Sequence, residues 1–222
     1  MLVYSSFNFS EQIRAMPHNG EDITRLITEE LYGAPVSYIL AQDFGVLINA
    51  TEVLKAFRMR DGSIAWWAVD ELTTYQQTSA VHASILRERY PNQDDCLVVA
   101  DPHLNTSDAD KSDYHQFRDA GWKLVPATHG KISVKHRISM VNALCRDAHG
   151  TRRLFIHCDV TGRPVCQKLV EGLMSQQYNS AGRAQPHRKD KYDMTHWPDA
   201  LGYGLYPWER IRGGAVLRQV VM

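Results

Sequence analysis

The sequence predicts an α/β fold, a mixed β-sheet flanked by α-helices. Two observations carry this. Three strand-type runs follow one another between residues 36 and 73 with no room for a helix between them. After residue 77, amphipathic helical stretches alternate with short apolar runs that end on turn residues or acids. A meander followed by parallel crossovers yields one sheet containing both strand directions.

The elements read in order as follows. Residues 1–34 form a polar lead-in, and "GEDITRLITEELYG" within it is a short helix ended by Gly33. "VSYILAQDF", "ATEVLKAFRMRDG" and "SIAWWAVDELT" are the three consecutive strands, with "RDGS" turning the second into the third. "QTSAVHASILRERYP" places Val81, Ile85 and Leu86 at helical spacing and closes at Pro91. "DDCLVVAD" is a short apolar strand ending on Asp101. "SDYHQFRDAGW" is a helix ending at Gly121, and "WKLVPA" is the strand after it. "ISVKHRISMVNALCRDAHG" is a longer amphipathic helix stopped by Gly150, "RRLFIHC" a strand, and "RPVCQKLVEGLMSQQY" a helix. Residues 179–195 are polar and basic. "HWPDALGYGLYPWERI" closes the pattern as a helix with Pro198 in its first turn. The expected order is β-β-β-α-β-α-β-α-β-α-α. The domain division is a lead-in at 1–34, one domain at 35–210 and a tail at 211–222.

Composition narrows the function classes. With 222 residues, 44% of them hydrophobic, the chain is long enough for one sizeable core. Lys plus Arg and Asp plus Glu each number 25, so overall charge selects no polyanionic partner and only local clusters could. No apolar stretch approaches the ~20 residues that span a bilayer. The N-terminus lacks the basic and apolar regions of a secretory signal. Cys96, Cys145, Cys158 and Cys166 form no CxxC pair, and read as reduced core thiols of a cytosolic protein. Trp66 and Trp67 are adjacent on a strand and face opposite sides of the sheet.

Acids recur at element ends. Asp43 ends the first sheet strand and Asp101 the fourth, and Asp199 lies near the start of the last helix. Asp43 opens the letters Asp-Phe-Gly, but the glycine-rich loop and the HRD motif of a protein kinase are missing. An Asp at a strand end is commonly a turn former, and Asp199 can be a helix-start charge. The strand order favours a shared role. If the first and fourth strands are parallel neighbours, Asp43 and Asp101 emerge at the same sheet edge, where a helix can add a third carboxylate. Such a trio suits hard divalent cations. Two ions about 4 Å apart can activate a water and stabilise the leaving oxygen of a phosphodiester.

The order and the acids together resemble the ribonuclease H-like fold, and the details resemble the C-terminal nuclease domain of the tailed-bacteriophage terminase large subunit. "YILAQDFGV", "LVVADPH", "FRDAGWKLVPA", "RISMVNALCRDAHGTRRLFIHC" and "CQKLVEGL" carry the likeness, and "KDKYDMTHWPDALGY" is its most specific piece. It covers roughly residues 35–206. The resemblance implies a metal-dependent endonuclease that cuts double-stranded DNA with little sequence specificity. Asp43, Asp101 and Asp199 would hold two Mg²⁺ or Mn²⁺ ions. His196, one turn before Asp199, would join the catalytic group, and Asp193 would be a weaker fourth acid. Gly45 departs from the polar residue common at that place in the family. No GxxxxGK[ST] is present, so the chain would be an excised domain, a separately encoded nuclease or a remnant, and the implied partners are a separate packaging ATPase, a portal or a small terminase subunit. Host-cell cytoplasm is the implied location.

Basic residues Arg183, Arg188, Lys189 and Lys191, with His187, precede the His-Asp motif and are the expected DNA-backbone contacts. A second cluster, Lys131, Lys135, His136 and Arg137, reads as the charged face of an amphipathic helix. The alternatives are another ribonuclease H-like nuclease, such as a junction resolvase, and a non-catalytic docking module of a packaging assembly.

Overall fold

A computed structural model describes residues 2–18, 20–45, 47–102, 112–128, 132–178 and 193–212. Its centre is an eight-stranded sheet. From Tyr38 onward the element order is the expected one: β3 (Tyr38–Asp43), β4 (Ile48–Arg58), β5 (Ile64–Tyr75), α3 (Ser79–Arg89), β6 (Cys96–Ala100), α4 (Asp113–Asp119), β7 (Leu124–Pro126), α5 (Val134–Cys145), β8 (Leu154–His157), α6 (Gln167–Ser175) and α7 (His196–Arg212). Before them come α1 (Phe9–Gln12), β1 (Ile13–Arg14), β2 (Glu21–Asp22) and α2 (Thr24–Tyr32).

The strands lie in the order β1-β8-β5-β4-β3-β6-β7, with β2 added on β4. β3, β4 and β5 form the antiparallel meander. β6 joins β3 in parallel and β7 joins β6 in parallel, while β8 runs parallel to β5 on the other side. The sheet is therefore mixed, as the meander-then-crossover pattern requires. Residues 2–34 add two strands and place Val3, Tyr4, Ile23 and Ile27 in the same apolar core as β3 and α7.

Helices cover both faces. α5, α6 and α7 share a core with Ile39, Ala41, Ala50, Leu54 and Trp66. α3 and α4 cover Leu40, Val53, Val98 and Ala100 on the opposite face. Trp66 and Trp67 divide between the faces: Trp66 packs edge-on to Trp208, and Trp67 stacks on Phe155. All four cysteines are unpaired, and Cys96, Cys145 and Cys166 are buried.

Three local readings are adjusted. α2 begins at Thr24 because Glu21 and Asp22 are taken into a strand pair with Phe57 and Arg58. α5 ends at Cys145, well before Gly150, because Arg146 is extended and Asp147 Oδ1 accepts the N–H groups of His149 and Thr151 in a local turn. α3 turns His82, Ala83 and Leu86 inward and leaves Val81 exposed. The buried His82 is satisfied by Thr51 and Thr74 hydroxyls at 2.7 and 2.9 Å, so a polar residue occupies a core position without an orphaned nitrogen.

Candidate active site

The parallel pairing of β3 with β6 sets the site. Gln42 lies opposite Ala100, so Asp43 and Asp101 are the next residues of adjacent strands and leave the sheet side by side. α7 crosses the same end, packing on β3, β4, α5 and α6. Two glycines allow that approach. A Cβ on Gly204 would stand 2.5 Å from Ala41 Cβ, and one on Gly172 would stand 2.6 Å from the Met194 carbonyl. The start of the helix is fixed by the Trp197 indole, which donates to Thr73 Oγ1 at 2.8 Å. Asp193 Oδ1 accepts from Thr195 N and Oγ1, forming the turn that enters α7.

His196 and Asp199 thereby hang over the strand ends. His196 Nδ1 is 2.5 Å from Asp43 Oδ2. A carboxylate can only accept, so Nδ1 carries the hydrogen. His196 Nε2 faces Asp193 Oδ2 at 3.8 Å, so the imidazole is bracketed by two acids. Tyr203, one turn beyond Asp199 on α7, donates its hydroxyl to Asp101 Oδ2 at 2.7 Å. Tyr114 donates to the Asp101 carbonyl at 2.9 Å. Burial pushes the Tyr203 phenol far up, and the Asp43, Asp199 and Asp101 carboxylates add to it against the pull of Arg137. One phenol thus feels all three acids.

Arg137 is the residue that sequence reasoning misplaced. It is not on a charged outer face of α5: it is 3% exposed, and its Nη2 donates to Asp199 Oδ1 at 2.6 Å. Its guanidinium also lies over the Tyr203 ring at 4.6 Å. Burial works against its charge, but Asp199, Tyr203, Tyr4 and Asp43 outweigh that and hold it more firmly protonated. The available signal was Gly202: a Cβ there would overlap Arg137 Cγ and Cδ, so the glycine marks where the arginine passes α7.

Gly45 has a similar meaning. A Cβ there would lie 2.5 Å from the Ile48 carbonyl and 2.9 Å from His196 Cε1, so the glycine makes room for the imidazole beside Asp43. From Phe44 and Gly45 an open groove of about 570 Å³ runs past Gln77, Thr78, Ser79 and Gln116.

The structure thus places Asp43, Asp101, Asp199, His196 and Asp193 at one end of the sheet, although Asp43, Asp101 and Asp199 do not bring three ligand atoms within 4.8 Å of one another. Arg183, Arg188, Lys189 and Lys191, like His187 and Lys131, lie outside the described residues. Among the described residues no helix is long and apolar enough to cross a membrane.

No family model matches the chain, and neither does any curated protein. Solved structures do. The large terminase nuclease of thermophilic phage G20c with bound magnesium is 15% identical, with 94% of this chain and 97% of that chain covered at a TM-score of 0.51. The cobalt-bound form is 16% identical, with 91% and 96% covered, at 0.51. A third structure of that nuclease is 15% identical over the same shares, at 0.50. The fold is the ribonuclease H-like fold of these nuclease domains.

Proposed function

We propose that the chain is a metal-dependent endonuclease that cuts double-stranded DNA with little sequence preference, as the nuclease part of a viral genome-packaging terminase. The observation that carries this reading is the pairing of Asp43 with Asp101 at the ends of adjacent parallel strands, with His196 and Asp199 held over them by α7. The likeness to a magnesium-bound nuclease supports it.

Asp43, Asp101 and Asp199 would hold the ions. They offer hard oxygen donors and no sulfur, a set that suits Mg²⁺ or Mn²⁺. Bound there, two such ions would supply an activated water and charge stabilisation at the departing 3′ oxygen. The remaining work falls to the protein. His196 fixes the Asp43 rotamer through its Nδ1 hydrogen, and Tyr203 does the same for Asp101. Arg137 orients Asp199 and offsets part of the negative charge. Arg183, Arg188, Lys189 and Lys191 precede Asp193 and His196 in the sequence. Their cations would grip backbone phosphates, which position a duplex without reading its bases.

The test is a substrate panel with Mn²⁺: supercoiled plasmid, linear duplex of unrelated sequences and a four-way junction. Comparable cutting of the duplexes supports the proposal. Cutting confined to the junction would assign a resolvase. Binding of DNA without cutting in any metal would assign a docking module.

A further inference from the structure

We propose that Glu52, Glu71 and Cys166 form a second cation site, suited to a divalent ion of borderline softness such as Zn²⁺ and separate from the strand-end acids. Glu52 on β4 lies directly opposite Glu71 on β5, and Cys166 caps the start of α6 above them. One ligand atom from each falls within 4.8 Å of the other two. Among the described residues this is the trio that meets that spacing.

Glu52 supplies the independent sign of a missing partner. Its side chain is fully buried at 0% exposure, and neither carboxylate oxygen has a hydrogen-bond partner. Only the weak thiol of Cys166 leans on it, and the other charges acting on it, Glu71 and Asp70, have the same sign. Lys168 turns its ammonium to Glu171 at 2.8 Å. A carboxylate in this position must be neutralised or paired.

Glu71 is built as a ligand. Its two oxygens accept the N–H groups of Lys168 and Leu169 at 3.0 and 3.1 Å, which fixes the carboxylate and leaves further lone pairs. It is half-buried and gives the site its opening. Donor chemistry selects the ion. Mg²⁺ and Ca²⁺ take oxygen and not thiolate, whereas Zn²⁺ accepts Cys sulfur and Glu oxygen together. On binding, the Cys166 thiol gives its proton to solvent, as does Glu52 if protonated, and metal–sulfur and metal–oxygen bonds replace metal–water bonds. The ion would tie β4 and β5 to the first turn of α6. Gly172 of that helix is in close contact with Pro198 of α7, so the clamp would brace the helix that carries His196 and Asp199.

The test uses Co²⁺ as a spectroscopic substitute in the full chain carrying Asp43→Asn, which weakens the strand-end site. The expected result is a thiolate-to-cobalt charge-transfer band that saturates at a single equivalent. Zn²⁺ should displace it, excess Mg²⁺ should not, and both Cys166→Ala and Glu52→Gln should abolish it. Glu52→Gln should also raise the melting temperature of metal-free protein and remove the rise that Zn²⁺ causes in the parent. Absence of the band, or its survival in Cys166→Ala or Glu52→Gln, overturns the proposal and leaves a proton shared between the two glutamates. Neither readout depends on DNA cutting.

Discussion

Arg137 Nη2 and Asp199 Oδ1 are 2.6 Å apart, joining α5 to α7 with both side chains buried. A cation is thus built into a cluster of acids, and its loss would remove the positive charge that faces buried Asp199. Arg137→Met is expected to destabilise the fold by about 3–5 kcal/mol, the usual cost of breaking a buried pair from one side. Asp199→Asn in the same chain should recover part of that loss. Urea unfolding of the two single variants and the double variant measures the coupling, and strict additivity would show that the pair is not an energetic unit.

Gly202→Ala sets helix propensity against sterics. Alanine would gain about 1 kcal/mol in a helix interior. The added methyl would also overlap the Arg137 stem, and overpacking of this kind costs about 1–3 kcal/mol. We expect a net loss in melting temperature. A stabilised variant would mean that Arg137 can leave α7 freely.

His82 makes stability depend on pH. Burial lowers its folded-state pKa to about 3 from the model-peptide value of 6.5. Between those values the unfolded chain binds a proton that the folded chain excludes. The contribution is fully present above pH 6.5 and is lost as pH falls toward 3, at up to about 1.4 kcal/mol per pH unit. His82→Gln should flatten that part of the stability–pH curve. An unchanged slope in urea-unfolding series would assign the acid sensitivity to other groups.

Replacing Arg188, Lys189 and Lys191 with Ala should weaken DNA binding about equally for unrelated sequences. It should also flatten the salt dependence, since each lost phosphate contact releases about one counterion fewer. Fluorescence anisotropy at several salt concentrations reads both quantities. Unchanged affinity and slope would place the phosphate contacts elsewhere.

Much of this architecture is legible in the chain. β3 to α7 follow the expected order because each strand is a clear apolar run and each helix has a periodic face. β1 and β2 are not legible, since two-residue strands carry no periodicity. Asp43, Asp101 and Asp199 stand out as candidates because they lie at element ends, and the β3–β6 register sets the first two side by side, whereas His196 stands out only through the family resemblance. Arg137 is hidden because Lys135 and His136 make it look like one of a surface basic group, while its partner lies far along the chain. Glu52 and Glu71 are hidden for a related reason. An acid within a strand reads as a solvent-facing position, and only the register that sets them opposite each other under Cys166 shows that they converge.

On the proposed function, the acids at this end of the sheet cut DNA with a divalent metal. The measurement that decides it is the initial rate of plasmid nicking and linearisation with Mn²⁺ for the parent, His196→Ala and Asp43→Asn chains, each confirmed as folded. His196 acts through Asp43, so His196→Ala should slow cutting by about 10–100-fold, the range for loss of a partner behind a metal ligand. Asp43→Asn should fall well beyond that range, and EDTA should stop the parent entirely. Cutting that persists at the parental rate in Asp43→Asn, or that survives EDTA, would rule out metal-dependent cleavage at these acids.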